Sequence, residues 1–152
     1  MNSNDILQLY REVIMDNYKN PKNKGLIEGE GYHSIHLNNP SCGDDMNVCV
    51  KAFNNKLIDI RHDGRGCSIC CSSASVMSET LKDKTFDEAL EIINEFYEMI
   101  KGAPITPKME EDLGEAIAYT GVSQFPARIK CATLSWKAIE KAITEVSDES
   151  GK

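Results

Sequence analysis

The chain has 152 residues, of which 41% are hydrophobic and 27% are charged, as is typical of one globular domain that buries its own core. The formal net charge of −7, with no basic stripe along the chain, argues against a nucleic-acid-binding protein. No apolar run approaches the length of a membrane span, so we expect no membrane partner either.

The first predicted element is an amphipathic helix over residues 5–18, which the pair Asn20-Pro21 ends. Acidic side chains interrupt its apolar pattern at Asp5 and Asp16. A secretory signal needs an uninterrupted apolar core and a mitochondrial presequence avoids acidic residues, so neither is indicated. We therefore expect a cytoplasmic protein whose six cysteines stay reduced, which favours metal or sulfur chemistry over a disulfide framework.

Three antiparallel strands are predicted next. Apolar and polar residues alternate over residues 33–37 and again over residues 46–50. A third strand over residues 57–61 follows Asn54 and Asn55, which tolerate the positive φ of a tight hairpin turn.

Helices occupy the rest of the chain in this prediction. The apolar period becomes helical from Ser68, and Thr85 begins a second helix through Lys101 with a capping-box signal. Prolines and glycines break residues 102–126, where we expect a short helix around residues 111–119. A one-sided apolar stripe then predicts a long helix that packs on the sheet, with Ile129, Ala132, Trp136, Ile139, Ile143 and Val146.

Together these elements predict an α+β fold, a three-stranded antiparallel sheet with helices packed on one face. We expect one domain over residues 1–152, since the chain shows no internal repeat and no low-complexity segment. Trp136, on the apolar stripe of the last helix, is interpreted as a core residue.

Four potential metal ligands stand at transitions between predicted elements. Cys42 and Asp44 lie in the loop between the first two strands, Cys67 at a strand-to-helix junction and Cys131 at a helix start. Separate loops can converge at the end of a layered fold, and three thiolates with one carboxylate suit a four-coordinate Zn²⁺ site. Asp45 competes with Asp44 but begins the strand, so Asp44 is preferred. On spacing alone, inert buried thiols remain the alternative.

The remaining cysteines have simpler interpretations. Cys49 alternates with valines on a strand and is interpreted as core filler. Cys67 and Cys70 form a CxxC pair, but the βαβ context of a thioredoxin-like redox motif is absent. Cys70 and Cys71 are interpreted as buried helix packing.

Three stretches resemble the iron–sulfur cluster assembly proteins of the IscU/NifU type. They are residues 39–44 (NPSCGD), 64–69 (GRGCSI) and 128–136 (RIKCATLSW), and the likeness runs from the first predicted helix to the last. Within this family the sequence resembles the SufU subgroup. Lys130 stands where IscU-type scaffolds carry a histidine, and the broken stretch over residues 102–126 resembles an insertion typical of SufU-type chains.

The resemblance implies a zinc ion held by Cys42, Asp44, Cys67 and Cys131. It also implies that a pyridoxal-phosphate cysteine desulfurase of the SufS type is the partner and that Cys42 is the catalytic residue. In that mechanism a side chain of the partner displaces a zinc ligand, and Cys42 is freed to accept persulfide sulfur. The pyridoxal phosphate belongs to the desulfurase, and downstream scaffold proteins of the SUF system are further expected partners.

Two functions from different classes follow from these residues. The first is a zinc-dependent sulfur carrier, similar to a sulfurtransferase. The alternative is a scaffold on which a [2Fe–2S] cluster is assembled and transferred. Lys130 disfavours the scaffold because lysine is a poor cluster ligand, and the carboxylate ligand disfavours a purely structural zinc module. Cys70 and Cys71 are additional to the usual family motif, which raises alternative ligation or a secondary sulfur carrier as further options.

Overall fold

A three-stranded antiparallel sheet in the order β1-β2-β3 forms one layer of the protein. The computed structural model describes residues 3–27, 29 and 31–150. Its strands are β1 (Tyr32–Asn39), β2 (Asp44–Phe53) and β3 (Lys56–Arg65). Asn54 and Asn55 connect β2 to β3 with φ values of 52° and 59°, which confirms the predicted hairpin turn. β3 extends beyond the predicted strand because Asp45 still pairs with Arg65 at its end.

Helices form the second layer. They are α1 (Ser3–Lys19), α2 (Ser68–Leu81), α3 (Phe86–Ile100), α4 (Pro107–Leu113) and α5 (Pro126–Ser150), and a 3₁₀ helix (Gly114–Gln124) follows α4. The helix α5 packs on β1 and β2, whereas α2 packs beside β3 and against both α1 and α5. This arrangement confirms the predicted fold class of a three-stranded sheet with a helical layer.

The prediction of a short helix around residues 111–119 is wrong. The helix α4 begins after Thr106, whose hydroxyl oxygen accepts a hydrogen bond from Met109 N at 3.1 Å, and it ends at Leu113. Gly114 then adopts φ +52°, a conformation that favours glycine and stops the α-helix. The chain continues as the 3₁₀ helix, so two elements replace the one predicted.

The second predicted helix begins as its sequence indicates. Thr85 is the N-cap of α3, and its hydroxyl oxygen accepts a hydrogen bond from Glu88 N at 3.2 Å. The Glu88 carboxylate in turn accepts one from Thr85 N at 3.0 Å. This confirms the predicted capping box.

The contact between α2 and α5 fixes the relative position of two predicted ligand-bearing elements. Trp136 of α5 is fully buried and stacks on Phe96 of α3, with ring centroids 3.9 Å apart. Its Nε1 donates a hydrogen bond to Ser73 Oγ of α2 at 2.9 Å, and Ser73 Oγ donates to Ala132 O at 2.6 Å. These results confirm that Trp136 is a core residue and show that small side chains allow α2 to approach α5 closely.

Two further expectations concern burial and membranes. Cys49 is buried, with its thiol 3.9 Å from Ile27 O, which confirms its interpretation as a buried residue. Among the residues that the structure describes, no helix is both long and apolar enough to cross a membrane.

Candidate metal centre

The loop between β1 and β2 projects Cys42 to the surface. Asn39 and Asp44 are opposite each other at the end of the hairpin, and the carbonyl oxygen of Asn39 accepts hydrogen bonds from Cys42 N at 3.2 Å and Gly43 N at 3.0 Å. Gly43 has φ +71°, a conformation that few other residues adopt easily. The turn thus places an exposed thiol one residue before the glycine and a buried carboxylate one residue after it.

Asp44 is almost completely buried, and its two carboxylate oxygens differ. Oδ1 accepts a hydrogen bond from Cys67 N at 3.1 Å. Oδ2 is also buried, but no hydrogen-bond donor reaches it among the described residues. A buried carboxylate oxygen without a partner costs free energy unless a cation compensates its charge. Asp44 therefore has the environment expected of a metal ligand.

Cys131 approaches the same region from the start of α5. Its thiol is fully buried and lies 3.7 Å from the carbonyl oxygen of Ala127. The thiol of Cys42 lies 4.0 Å from the same oxygen. The hairpin loop and the first turns of α5 therefore bring these two sulfur atoms together, although they are far apart in the sequence.

The ligand atoms of Cys42, Asp44 and Cys131 all lie within 4.8 Å of one another. Ligands around one tetrahedral zinc ion, with bonds of about 2.0–2.3 Å, are separated by roughly 3.3–3.8 Å. The three donors are therefore close enough to share one ion after small side-chain adjustments. The set of two sulfurs and one oxygen also suits zinc chemically.

Cys67 stands beside this group, but its sulfur atom does not lie within 4.8 Å of all three ligand atoms. It is the N-cap residue of α2, is half-buried, and approaches Asp44 through its backbone N–H. Burial raises the pKa of the Cys131 thiol, and the nearby side chains of Asp44, Cys42 and Cys67 raise it further. The structure thus groups three of the predicted ligands and places the fourth thiol next to Cys131.

The competing ligand Asp45 points elsewhere. It follows Asp44 on β2, where successive side chains face opposite sides of the strand. Its Oδ1 lies 2.7 Å from Nε2 of His36 at the exposed surface. This geometry favours Asp44 over Asp45 as the oxygen ligand.

The other two cysteines of the second motif have different environments. Cys70 is fully buried in the core, and burial raises the pKa of its thiol, as does the charge of Asp44. Cys71 is only half-buried, and it lines a cavity of about 290 Å³ together with Lys24 and Arg65. The interpretation as buried helix packing is therefore confirmed for Cys70 and wrong for Cys71.

Two features of the site were not predicted from the sequence. Gly66 lies so close to Asp44 that a β-carbon at this position would be 2.4 Å from Oδ1. The other feature is a groove of about 740 Å³ that borders Cys67. Its apolar lining comes from α1, α2 and the 3₁₀ region, and includes Leu7, Tyr10, Ile14, Ile69, Val122 and Phe125. In the sequence, a glycine at position 66 is a signal for the close approach between this residue and Asp44, whereas no sequence signal indicates the groove.

Comparison with known proteins identifies the family of this chain. Residues 9–132 match the family model of the NifU-like N-terminal domain. The chain is 44% identical over 137 residues to the zinc-dependent sulfurtransferase SufU of Bacillus subtilis, covering 90% of each chain. It is also 41% identical over 135 residues to the iron–sulfur cluster assembly scaffold protein IscU of Streptococcus pyogenes, covering 89% of this chain and 82% of the relative.

Solved structures show the same fold. A scaffold protein candidate for the SUF system from Fervidobacterium islandicum superposes with a TM-score of 0.74 at 32% identity, covering 93% of this chain and 99% of the other. A NifU-like N-terminal protein from Brucella abortus superposes with a TM-score of 0.80 at 20% identity, covering 94% and 97% of the two chains. The second likeness concerns the fold alone.

Proposed function

The chain belongs to the NifU-like N-terminal domain family of iron–sulfur cluster assembly proteins, and from that premise we propose that it is a zinc-dependent sulfur carrier. It accepts persulfide sulfur from a cysteine desulfurase of the SufS type, whose pyridoxal phosphate belongs to the desulfurase. The observation that carries this proposal is the exposed thiol of Cys42 beside the buried donors Asp44 and Cys131. Such a site combines a metal centre with an accessible nucleophile.

The residues present fit a zinc ion. Cys42, Asp44 and Cys131 are grouped, Cys67 is adjacent, and Oδ2 of Asp44 has no donor among the residues described. We therefore assign all four as the zinc ligands. Zinc, when bound, stabilises the deprotonated and nucleophilic form of its thiol ligands near neutral pH.

Cys42 is the residue that can carry sulfur. It is exposed at the loop tip, whereas Cys131 and Asp44 are buried. Its thiolate attacks the outer sulfur of the donor's cysteine persulfide. The donor's S–S bond breaks, a new S–S bond forms on Cys42, and the donor cysteine leaves as a thiolate. This exchange needs no external oxidant or reductant.

The groove beside Cys67 supports a protein as the sulfur donor. Leu7 and Phe125, two large apolar side chains at this groove, expose 45% and 60% of their surface. Exposed apolar surface next to a reactive site commonly marks a protein–protein contact. A desulfurase that covers this face would present its persulfide beside Cys67, at the edge of the candidate metal centre.

The experiment is a desulfurase assay with and without this protein, in the presence of a reductant, after elemental analysis of the purified chain. We expect close to one zinc per chain and a clear increase in desulfurase turnover. Cys42→Ala should abolish the increase. Cys49→Ala is the matched control, because Cys49 is buried outside the ligand group and should leave the increase intact. An increase that survives Cys42→Ala would refute the acceptor role.

A scaffold for a [2Fe–2S] cluster is the second candidate function. The 41% identity to the scaffold protein of Streptococcus pyogenes favours it, and three cysteines with one aspartate are also a possible cluster ligand set. Anaerobic reconstitution with ferrous iron and sulfide tests it. A stable brown protein that contains iron and sulfide and excludes zinc would favour the scaffold. Zinc that resists this treatment would favour the carrier.

A further inference from the structure

The first turn of α2 carries two cysteines in the positions of a capping box. Cys67 is the N-cap, with φ −70° and ψ 167°, and Cys70 is the third residue of the helix. The N-cap of α3 has almost the same backbone, with φ −69° and ψ 163° at Thr85. There the side chains at the N-cap and the third position, Thr85 and Glu88, hydrogen-bond back to each other's backbone at 3.2 and 3.0 Å.

The two N-caps share their backbone conformation, although the Cys67 side chain makes no capping hydrogen bond. Side chains at the N-cap and the third helical position lie on the same side of the first turn, one above the other. Cys67 and Cys70 therefore occupy positions from which a CxxC pair at a helix start can form a disulfide. The whole-chain βαβ pattern is absent, but the β3–α2 junction supplies the local strand-to-helix geometry.

We propose that Cys67 and Cys70 are a redox pair. When no metal holds Cys67, a low-molecular-weight disulfide oxidises the two thiols to a disulfide bridge. The bridge removes Cys67 from the set of metal ligands. This effect on metal binding, but not the formation of the bridge, rests on the proposed zinc site. Cys70 has no part in the sulfur transfer proposed above. In the redox pair, it is the second cysteine of the disulfide. Metal binding and disulfide formation exclude each other because both use the single sulfur of Cys67.

The two thiols differ in access, which orders the steps. Cys67 is half-buried and can meet a dissolved oxidant, whereas Cys70 is fully buried in the core. The Cys67 thiolate attacks glutathione disulfide, forms a mixed disulfide and releases one glutathione thiolate. The Cys70 thiol then attacks the sulfur of Cys67, and its proton passes to the second glutathione, which leaves as the thiol. Two protein thiols lose two electrons and two protons, and one glutathione disulfide gains them.

The test is a peptide map of metal-free protein incubated with glutathione disulfide and then alkylated. Cleavage after Arg65 and Lys82 releases one peptide, residues 66–82, that contains Cys67, Cys70 and Cys71. We expect this peptide to be two hydrogens lighter and to carry a single alkyl group, which fragmentation places on Cys71. Zinc-loaded protein should form the bridge about tenfold more slowly or slower still, because the metal competes for Cys67 by mass action.

Variants give the matched comparison. Cys71→Ser should still form the bridge, whereas Cys70→Ser and Cys70→Ala should not, with folding of each checked by circular dichroism. In metal-free protein incubated with glutathione disulfide, both Cys70 variants should keep glutathione on Cys67 as a mixed disulfide, whereas wild type and Cys71→Ser should lose it to the bridge. The wild-type map does not depend on whether any variant folds.

Several outcomes overturn the redox pair. An alkyl group on Cys70 or three alkyl groups on the peptide would each do so. Failure of the proposed zinc function looks different. In that case the protein would bind no zinc, yet the metal-free chain would still form the bridge between Cys67 and Cys70.

Discussion

Gly66 and Asp44 are packed so closely that a β-carbon on Gly66 would lie 2.4 Å from Oδ1 of Asp44. The next residue, Cys67, donates its backbone N–H to the same oxygen at 3.1 Å. This contact holds the buried carboxylate in place between the hairpin and the start of α2. Gly66 is thus part of the candidate metal centre although it offers no ligand.

Gly66→Ala should weaken zinc binding. The new methyl group must displace either the Asp44 carboxylate or the β3–α2 junction, and both changes disturb a ligand. Loss of such support for a metal ligand typically costs about 10–100-fold in affinity. Competition with a chromogenic chelator measures the effect. Gly121→Ala is the control, because a β-carbon added there would meet no neighbouring atom of the described residues within 4 Å, and zinc affinity equal in both variants would contradict the prediction.

Asp44→Ala should reduce the stabilisation that zinc gives, whereas Asp45→Ala should not. At about 1,000 times its dissociation constant, a ligand adds about 4 kcal/mol to the free energy of unfolding. For a domain of this size, that corresponds to a rise in Tm of about 8–16 °C. Calorimetry with and without zinc should show most of this rise in Asp45→Ala and less than half in Asp44→Ala. The reverse order would assign the oxygen ligand to Asp45.

Ser73→Ala should destabilise the protein by about 1–3 kcal/mol, because it leaves the buried Nε1–H of Trp136 without its acceptor. Ser135→Ala is the matched control. Ser135 is equally buried, but its hydroxyl has no hydrogen-bond partner among the described residues, so its loss should not destabilise the protein. Urea denaturation of both variants gives the comparison, and equal losses would be inconsistent with the α2–α5 hydrogen bonds.

Glu95→Gln should change how stability depends on pH. Burial and a hydrogen bond with Asp112 raise the pKa of Glu95 from 4.5 to about 7. Between these values the folded state binds a proton that the unfolded state lacks, so stability falls as pH rises through this range and levels off above it. Glutamine cannot ionise, so the variant should become more stable relative to wild type as pH rises from about 4.5 to 7.

Denaturation at several pH values measures this difference. Glu91→Gln is the control, since Glu91 is largely exposed and also contacts Lys108, at 2.9 Å. Its stability relative to wild type should not show the same rise. A constant difference between Glu95→Gln and wild type across this range would show that Glu95 has the same pKa in the folded and unfolded states, which contradicts the prediction.

Local signals in the sequence were sufficient where one short segment determines the structure. The Asn54-Asn55 turn and the capping box at Thr85 are confirmed, because each depends on residues next to one another in the chain. The prediction of a helix around residues 111–119 is wrong because Gly114 adopts a positive φ, which ends the α-helix. The composition of this stretch does not determine which of its glycines adopts that conformation. The resemblance to the IscU/NifU family, which rests on three sequence motifs, is also confirmed.

The site could be predicted only in part. The motifs identified the candidate ligands, and the structure groups Cys42, Asp44 and Cys131. The position of Cys67 beside this group depends on how β3, α2 and α5 pack, which no local pattern encodes. The groove is invisible in the sequence for the same reason, since nothing distinguishes Phe125 from a core residue until its 60% exposure is known.

The grouped donors come from separate parts of the chain, the β1–β2 hairpin and the start of α5, with Cys67 supplied by a third. An ion shared among them would therefore close two long loops of the polypeptide at once. Damage to packing at residues that are not ligands, for example Trp136, would then be detected as metal loss. Metal content would accordingly report how much of a purified sample has its complete native structure.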